Sequence, residues 1–132
     1  MTISTPAQRI EATRAAFGSV AADYDGPRGN NEPIQDLRCE MWRWLDRIFA
    51  PGSRLLDLGC GTGLDAVRMA QRGYRVTATD VAPQMVERTR GRAEREHVGA
   101  RVTTAVIGAH ELERIAGCEL FDGAYSNLGA LN

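Results

Sequence analysis

The segment Leu55-Leu56-Asp57-Leu58-Gly59-Cys60-Gly61-Thr62-Gly63 constrains this chain more than any other stretch. A short apolar run feeds directly into three alternating glycines, and helical spacing resumes at Leu64. Glycines placed this way permit backbone angles closed to other residues and let the main chain lie against a ligand with no Cβ in between. A strand that runs into such a loop and then a helix opens an α/β unit. In an open parallel sheet the ligand crevice lies beyond the carboxyl ends of the strands, which is where this loop would sit. A bare turn without a ligand has little use for three glycines, each of which weakens it.

The remainder of the chain fits the same architecture. An Ala-rich, helix-permissive segment reaches about Asp25, and Gly26-Pro27-Arg28-Gly29-Asn30-Asn31 breaks it with turn formers. Residues 1–31 therefore read as an N-terminal arm and residues 32–132 as an α/β domain. With Asn31 as a cap and Pro33 in the first turn, Ile34, Leu37, Met41, Trp44, Leu45 and Ile48 recur at helical spacing, which predicts an amphipathic helix ending near Pro51-Gly52. Strands are expected over Arg54 to Leu58, Tyr74 to Thr79, Arg101 to Ile107 and Phe121 to Ser126. Helices are expected over Leu64 to Gln71, closed by Gly73, and over Pro83 to Glu96, with a short one near Glu111 to Ile115. The alternation predicts a doubly wound, Rossmann-like parallel sheet. In the segment Glu87 to Glu96, four arginines (Arg88, Arg90, Arg92, Arg95) interleave with Glu87, Glu94 and Glu96, which reads as a solvated helix face and not as a basic patch.

Spacing narrows the ligand. A dinucleotide fingerprint needs Gly-x-Gly-x-x-Gly, but counting from Gly59 puts Leu64 at the third position, which weighs against a nicotinamide-dependent oxidoreductase. A P-loop fails too, because no Gly-Lys-Ser or Gly-Lys-Thr follows. The second strand ends at Thr79-Asp80-Val81, and a carboxylate seventeen residues past Gly63 is placed to accept both hydrogen bonds of a ribose diol.

The Asp-x-Gly-x-Gly-x-Gly arrangement from Asp57 to Gly63 resembles motif I of the class I S-adenosylmethionine-dependent methyltransferases. Phe17, Ala21, Tyr24 and Asp25 match a Phe-x-x-x-Ala-x-x-Tyr-Asp pattern that often precedes that family's core, and Phe121 to Asn127 resembles its fourth strand. The resemblance runs from about Phe17 to Asn132. It implies S-adenosylmethionine as cofactor, met by the main chain at Gly59, Cys60, Gly61 and Gly63 and held at the ribose by Asp80. It further implies that Asp57 orients the loop and faces the methionine moiety, that Val81 and Met85 line the adenine, and that Tyr24 belongs to an arm closing over the cofactor. Ser126, Asn127 and Leu128 would face cofactor or acceptor. Met85 and Val81 equally suit a core, and Phe17 with Asp25 equally suits a plain surface helix. Two departures stand out. Relatives often carry Gly-Asp-Ala after the third strand where this chain has Gly108-Ala109-His110, and no Asn-Pro-Pro-Tyr follows the fourth strand. The adenine contact is thus open between main chain and His110, and resemblance to amino methyltransferases of DNA bases or glutamine is lacking.

Sixteen basic against seventeen acidic side chains leave no field that would draw phosphate backbones or anionic lipid, so no nucleic-acid or membrane partner is expected. No apolar run approaches the roughly 18 residues of a membrane span, and the first twenty residues lack the apolar core of a secretory signal. Cys39, Cys60 and Cys118 are far apart, which suits free thiols, a reducing compartment and no metal site. A cytoplasmic protein is expected.

The family fold has seven strands, and the resemblance covers four, in the order 3-2-1-4. The fourth strand would then be an open edge, and the long helices would gather on one sheet face, which is an invitation to self-association or to a partner chain. The expectation is therefore a methyltransferase acting on an unidentified, small-molecule acceptor, with no catalytic base identified. A non-catalytic nucleoside-binding module and one half of a split enzyme are the alternatives.

Overall fold

The computed structural model describes residues 3–115 and 120–128. Cys118 lies outside the described residues.

Helix α1, Pro6–Val20, opens with a reciprocal cap in which Thr5 and Gln8 exchange side-chain-to-backbone hydrogen bonds. None of its residues is buried. After the turn-rich stretch that follows, Asn31 caps α2, Glu32–Ile48, by accepting from the Ile34 N–H at 3.2 Å. Strand β1, Arg54–Leu58, then leads through the glycine loop into α3, Leu64–Gln71. Strand β2, Arg75–Asp80, is followed by α4, Pro83–Arg95, and by β3, Val102–Val106. A 3₁₀ segment spans Ala109–Arg114, and β4 covers Gly123–Tyr125.

All four strands are parallel, in the order β3-β2-β1-β4. Leu55 is flanked by Val76 and Gly123, and Val76 in turn by Val102, so one row of side chains crosses the sheet on a single face. That face carries the core. Leu55, Val76, Ala78 and Tyr125 pack with Leu45 of α2 and with Ala66 and Met69 of α3, while Val67 and Ala70 of α3 meet Ala93 of α4. Leu55 and Met69 are wholly enclosed, and burial of each contributes about 1.5–3 kcal/mol. The short β4 is pinned at its start: the Arg54 N–H donates to the Asp122 carboxylate at 2.7 Å, and the Asp122 N–H donates to the Arg54 carbonyl at 2.8 Å. Gly123 lets it lie close, because a Cβ there would stand 2.2 Å from the Phe49 ring.

The other sheet face carries Leu56 and Thr79, both buried, Leu58 and Ala105, both half-buried, and Ala124, which is exposed. As the sequence implied, α2, α3 and α4 leave it aside, and β4 ends the sheet among the described residues.

Several expectations are corrected. Strand β2 starts at Arg75, because Tyr74 turns inward and donates its hydroxyl hydrogen toward Asp46 and the Phe49 carbonyl. Strands β3 and β4 are shorter than expected, and the segment near Glu111 is 3₁₀ and starts at Ala109. The apolar stripe of α2 does not face the core as a unit: Leu37, Trp44 and Ile48 are 60%, 53% and 63% exposed, while Arg38 and Leu45 are buried. The helix is rolled toward α3 because Asp65, buried in the first turn of α3, draws Arg38 and Trp42 inward.

Candidate functional site

A cavity of about 290 Å³ opens at the carboxyl ends of the strands, bounded on one side by the glycine loop and on the other by the N-terminal arm. Its floor is Gly59, Gly61 and Asp80, its apolar wall Val81, Met85 and Ile107, and its roof Phe17 and Tyr24. Asn127 and Leu128, past β4, reach it from the far side.

The loop is held by main-chain bonds. The N–H groups of Gly59 and Cys60 both donate to the Thr79 carbonyl, at 2.9 and 2.8 Å, which ties the end of β1 to the end of β2. Gly61 and Gly63 both have positive φ, at 55° and 88°, but they serve different neighbours. A Cβ on Gly63 would lie 2.8 Å from the Thr89 Cα, so this glycine lets the loop pack on α4. A Cβ on Gly61 would find only the Tyr24 ring, 4.0 Å away, in the direction of the cavity. Gly61 keeps the cavity floor bare.

Asp80 is fixed by the loop it follows. One carboxylate oxygen accepts from the Ala82 N–H and the other from the Gly61 N–H, both at 2.9 Å. Each oxygen retains capacity for one more hydrogen bond, and the side chain borders the cavity. Burial pushes its pKa up, opposed by these backbone donors.

Asp57 is placed differently. It is buried behind the loop and does not border the cavity; the Tyr125 hydroxyl donates to it at 3.0 Å. Burial, reinforced by the charge of Asp65, pushes its pKa well above the usual carboxylate range. The folded chain therefore keeps this proton over a pH range in which the unfolded chain has lost it. The contribution to stability is complete below the unfolded value of about 3.9 and is lost as pH climbs through the folded value. Asp57→Asn, which cannot ionise and can still accept from Tyr125, should match the wild type near pH 4 and become progressively more stable than it as pH rises. Melting temperatures of both proteins across that range check this; parallel curves would contradict it.

Of the other residues singled out from sequence, Tyr24, Gly59, Gly61, Val81, Met85 and Asn127 border the cavity together with Asp80. Cys60 and Gly63, though in the loop, do not border the cavity: the Cys60 sulfur sits 3.3 Å from the Thr89 hydroxyl, and burial raises its pKa well above the thiol value. Ser126 and His110 do not border the cavity, whereas Gly108 and Ala109 do, so the main chain of that segment faces it.

Two clusters escaped the sequence reading. Asp65 gathers the Arg38 guanidinium at 2.6 Å, the Trp42 indole N–H at 2.9 Å and the Asn127 amide at 3.3 Å, joining α2, α3 and the end of β4. Asp25 accepts from the Thr62 hydroxyl at 2.7 Å and from Arg92, so Arg92 is a bonded residue and not part of a freely solvated face. The acidic residue at the start of α3 was the available signal for the first; the second joins positions 67 apart and left none.

Comparison with known proteins bears on the family and the fold. The family model described as "Methyltransferase domain" matches residues 55–131. A ubiquinone biosynthesis O-methyltransferase of Xanthomonas campestris pv. campestris is 40% identical over 73 residues, covering 55% of this chain and 30% of that protein. A malonyl-[acyl-carrier protein] O-methyltransferase of Serratia marcescens is 33% identical over 97 residues, covering 74% of this chain and 36% of that protein. The chain thus spans about a third of the length of these relatives. Among solved structures, magnesium protoporphyrin IX methyltransferase from Synechocystis PCC 6803, determined with bound SAM, superposes with a TM-score of 0.72 at 20% identity. The match covers 96% of this chain and 64% of that one, a likeness of fold.

Proposed function

Because the chain belongs to the methyltransferase domain family, we propose that its cavity takes S-adenosylmethionine and that the chain provides the cofactor-binding part of a methyltransferase. The observation that carries this reading is Asp80, a carboxylate fixed by two backbone N–H groups at the end of β2 with spare acceptor capacity toward the cavity. The residues present fit the cofactor. Asp80 supplies the two acceptors that a ribose diol needs, and Gly61 leaves the floor free of a Cβ that would fill the space. Val81, Met85 and Ile107 offer an apolar wall for a purine, and the main chain at Gly108 and Ala109 borders it.

When bound, S-adenosylmethionine supplies a methyl group already activated for displacement by its sulfonium. The chain's own task is then to orient and to exclude water. Asp80 and the loop fix one end of the ligand, Tyr24 and Phe17 roof it, and Asn127, tethered to Asp65, marks the side from which an acceptor would approach. Among the described residues the cavity is bordered by two titratable groups, Tyr24 and Asp80, and Asp80 is engaged with the loop. These residues supply placement; the proton that an oxygen acceptor releases on methylation is assigned to none of them. The names of the two relatives support an oxygen acceptor.

Titration calorimetry of the chain with S-adenosylmethionine and with NAD tests this reading. Saturable binding of the sulfonium compound, with none of the dinucleotide, is expected; the reverse preference would refute it.

A further inference from the structure

We propose that Asp25 and Arg92 form a clasp that holds the N-terminal arm shut over the cavity, so that this pair sets how long a ligand stays although neither residue touches it. The inference rests on the cofactor reading above for its ligand and on contacts within the chain for its geometry.

The arm has little packing of its own. Helix α1 buries no residue, Phe17 is exposed, and the apolar hold is limited to Ala21 against Ala82 and Met85, with Tyr24 alongside. Polar contacts supply the remainder. Arg14 donates to the Val81 carbonyl at 3.1 Å and Arg88 to the Ala22 carbonyl at 3.0 Å, each reaching a single backbone oxygen. Asp25 is the exception. One of its oxygens accepts from the Thr62 hydroxyl at 2.7 Å, the other accepts from an Arg92 terminal nitrogen, and the Arg92 Nε donates to the Thr62 carbonyl at 3.0 Å. Three elements close into one ring of charge-assisted bonds: the arm, α4 and the residue between Gly61 and Gly63. Such bonds are roughly twice as strong as neutral ones, and about three-quarters of each charged side chain is out of solvent.

Position gives this ring its effect. Tyr24, one residue before Asp25, stands over Gly61, and its ring meets Phe17 edge-on with centroids 6.3 Å apart. Opening the Asp25–Arg92 contact releases both aromatic roof residues at once and loosens the loop at Thr62. Asp25 and Arg92 are thus positioning residues that act through Tyr24 and Thr62.

The test uses the whole chain and two readouts. Hydrogen exchange of the amides of residues 6–25 in ligand-free protein should accelerate about tenfold in Asp25→Ala and in Arg92→Ala, the loss expected for one charged hydrogen-bonded contact. Exchange in β1 and β2 should stay unchanged. Dissociation of S-adenosylhomocysteine, followed by stopped flow, should accelerate by a similar factor with little change in the association rate. The exchanged pair Asp25→Arg with Arg92→Asp keeps the ion pair but loses the Arg92 Nε bond to the Thr62 carbonyl, so it should recover both rates only in part. Unchanged arm exchange in the single variants, or equal acceleration in β1 and β2, would overturn the clasp. If the wild type does not bind S-adenosylhomocysteine, the cofactor reading fails, and the exchange rates still decide the clasp.

Discussion

Asp80→Ala should weaken binding of S-adenosylmethionine by about 10²- to 10⁴-fold, the loss expected when two hydrogen bonds to a carboxylate disappear from an enclosed site. The same substitution should change folding stability far less. The carboxylate bonds to Gly61 and Ala82 are lost, but so is the cost of burying the group, which already pushes its pKa up. Asp80→Asn is the sharper variant. An amide offers one acceptor oxygen, so either Gly61 or Ala82 would present its N–H to an NH₂ group, and the loop would shift. Binding should fall nearly as far as in the alanine variant. Calorimetry and thermal melts on the three proteins separate the effects; a loss of binding that merely tracks a loss of stability would contradict the role assigned to Asp80.

Gly63→Ala should destabilise the fold by about 2–4 kcal/mol, lowering the melting temperature by about 10 °C. The methyl group would meet the Thr89 Cα at 2.8 Å and its hydroxyl at 2.9 Å, and φ of 88° is already unfavourable for a residue with a Cβ. Backbone offers no side-chain rotation to relieve the overlap, so α3 and α4 must move apart. Gly61→Ala provides the contrast. Its methyl group meets nothing nearer than Tyr24 at 4.0 Å, so the fold should lose only about 1 kcal/mol, while the ligand loses the floor it rests on. Two glycines two residues apart should therefore divide cleanly, one by its melting temperature and the other by its affinity. Equal melting temperatures for the two variants would contradict the packing role of Gly63.

The parts of the structure governed by neighbouring residues were legible in the sequence. Strand β1 and helix α3 begin and end at the expected residues, because an apolar run, a glycine loop and a helical period are all local signals. The 3-2-1-4 order and the one-sided distribution of helices also agree with the resemblance. What failed was decided at a distance. Periodicity marked Leu37, Trp44 and Ile48 as an inner stripe, yet the buried side chains beside them include Arg38, because Asp65 twenty-seven positions away needs a cation. The same holds for Arg92, which looks like one charge among several on α4 until Asp25 comes to stand beside it. Asp57 shows a third kind of limit. The motif marks it as part of the loop, but only the fold shows that its carboxyl is buried and accepts from Tyr125.

The central claim is that the floor formed by Gly59 and Gly61, together with Asp80, holds an adenosyl sulfonium compound. A crystal structure of the chain with S-adenosylhomocysteine tests it most directly. Both ribose hydroxyls are expected within hydrogen-bonding distance of Asp80, with the purine against Val81 and Met85 and the Tyr24 ring above the loop. A ligand bound elsewhere on the chain, or bound here with its ribose turned away from Asp80, would contradict it.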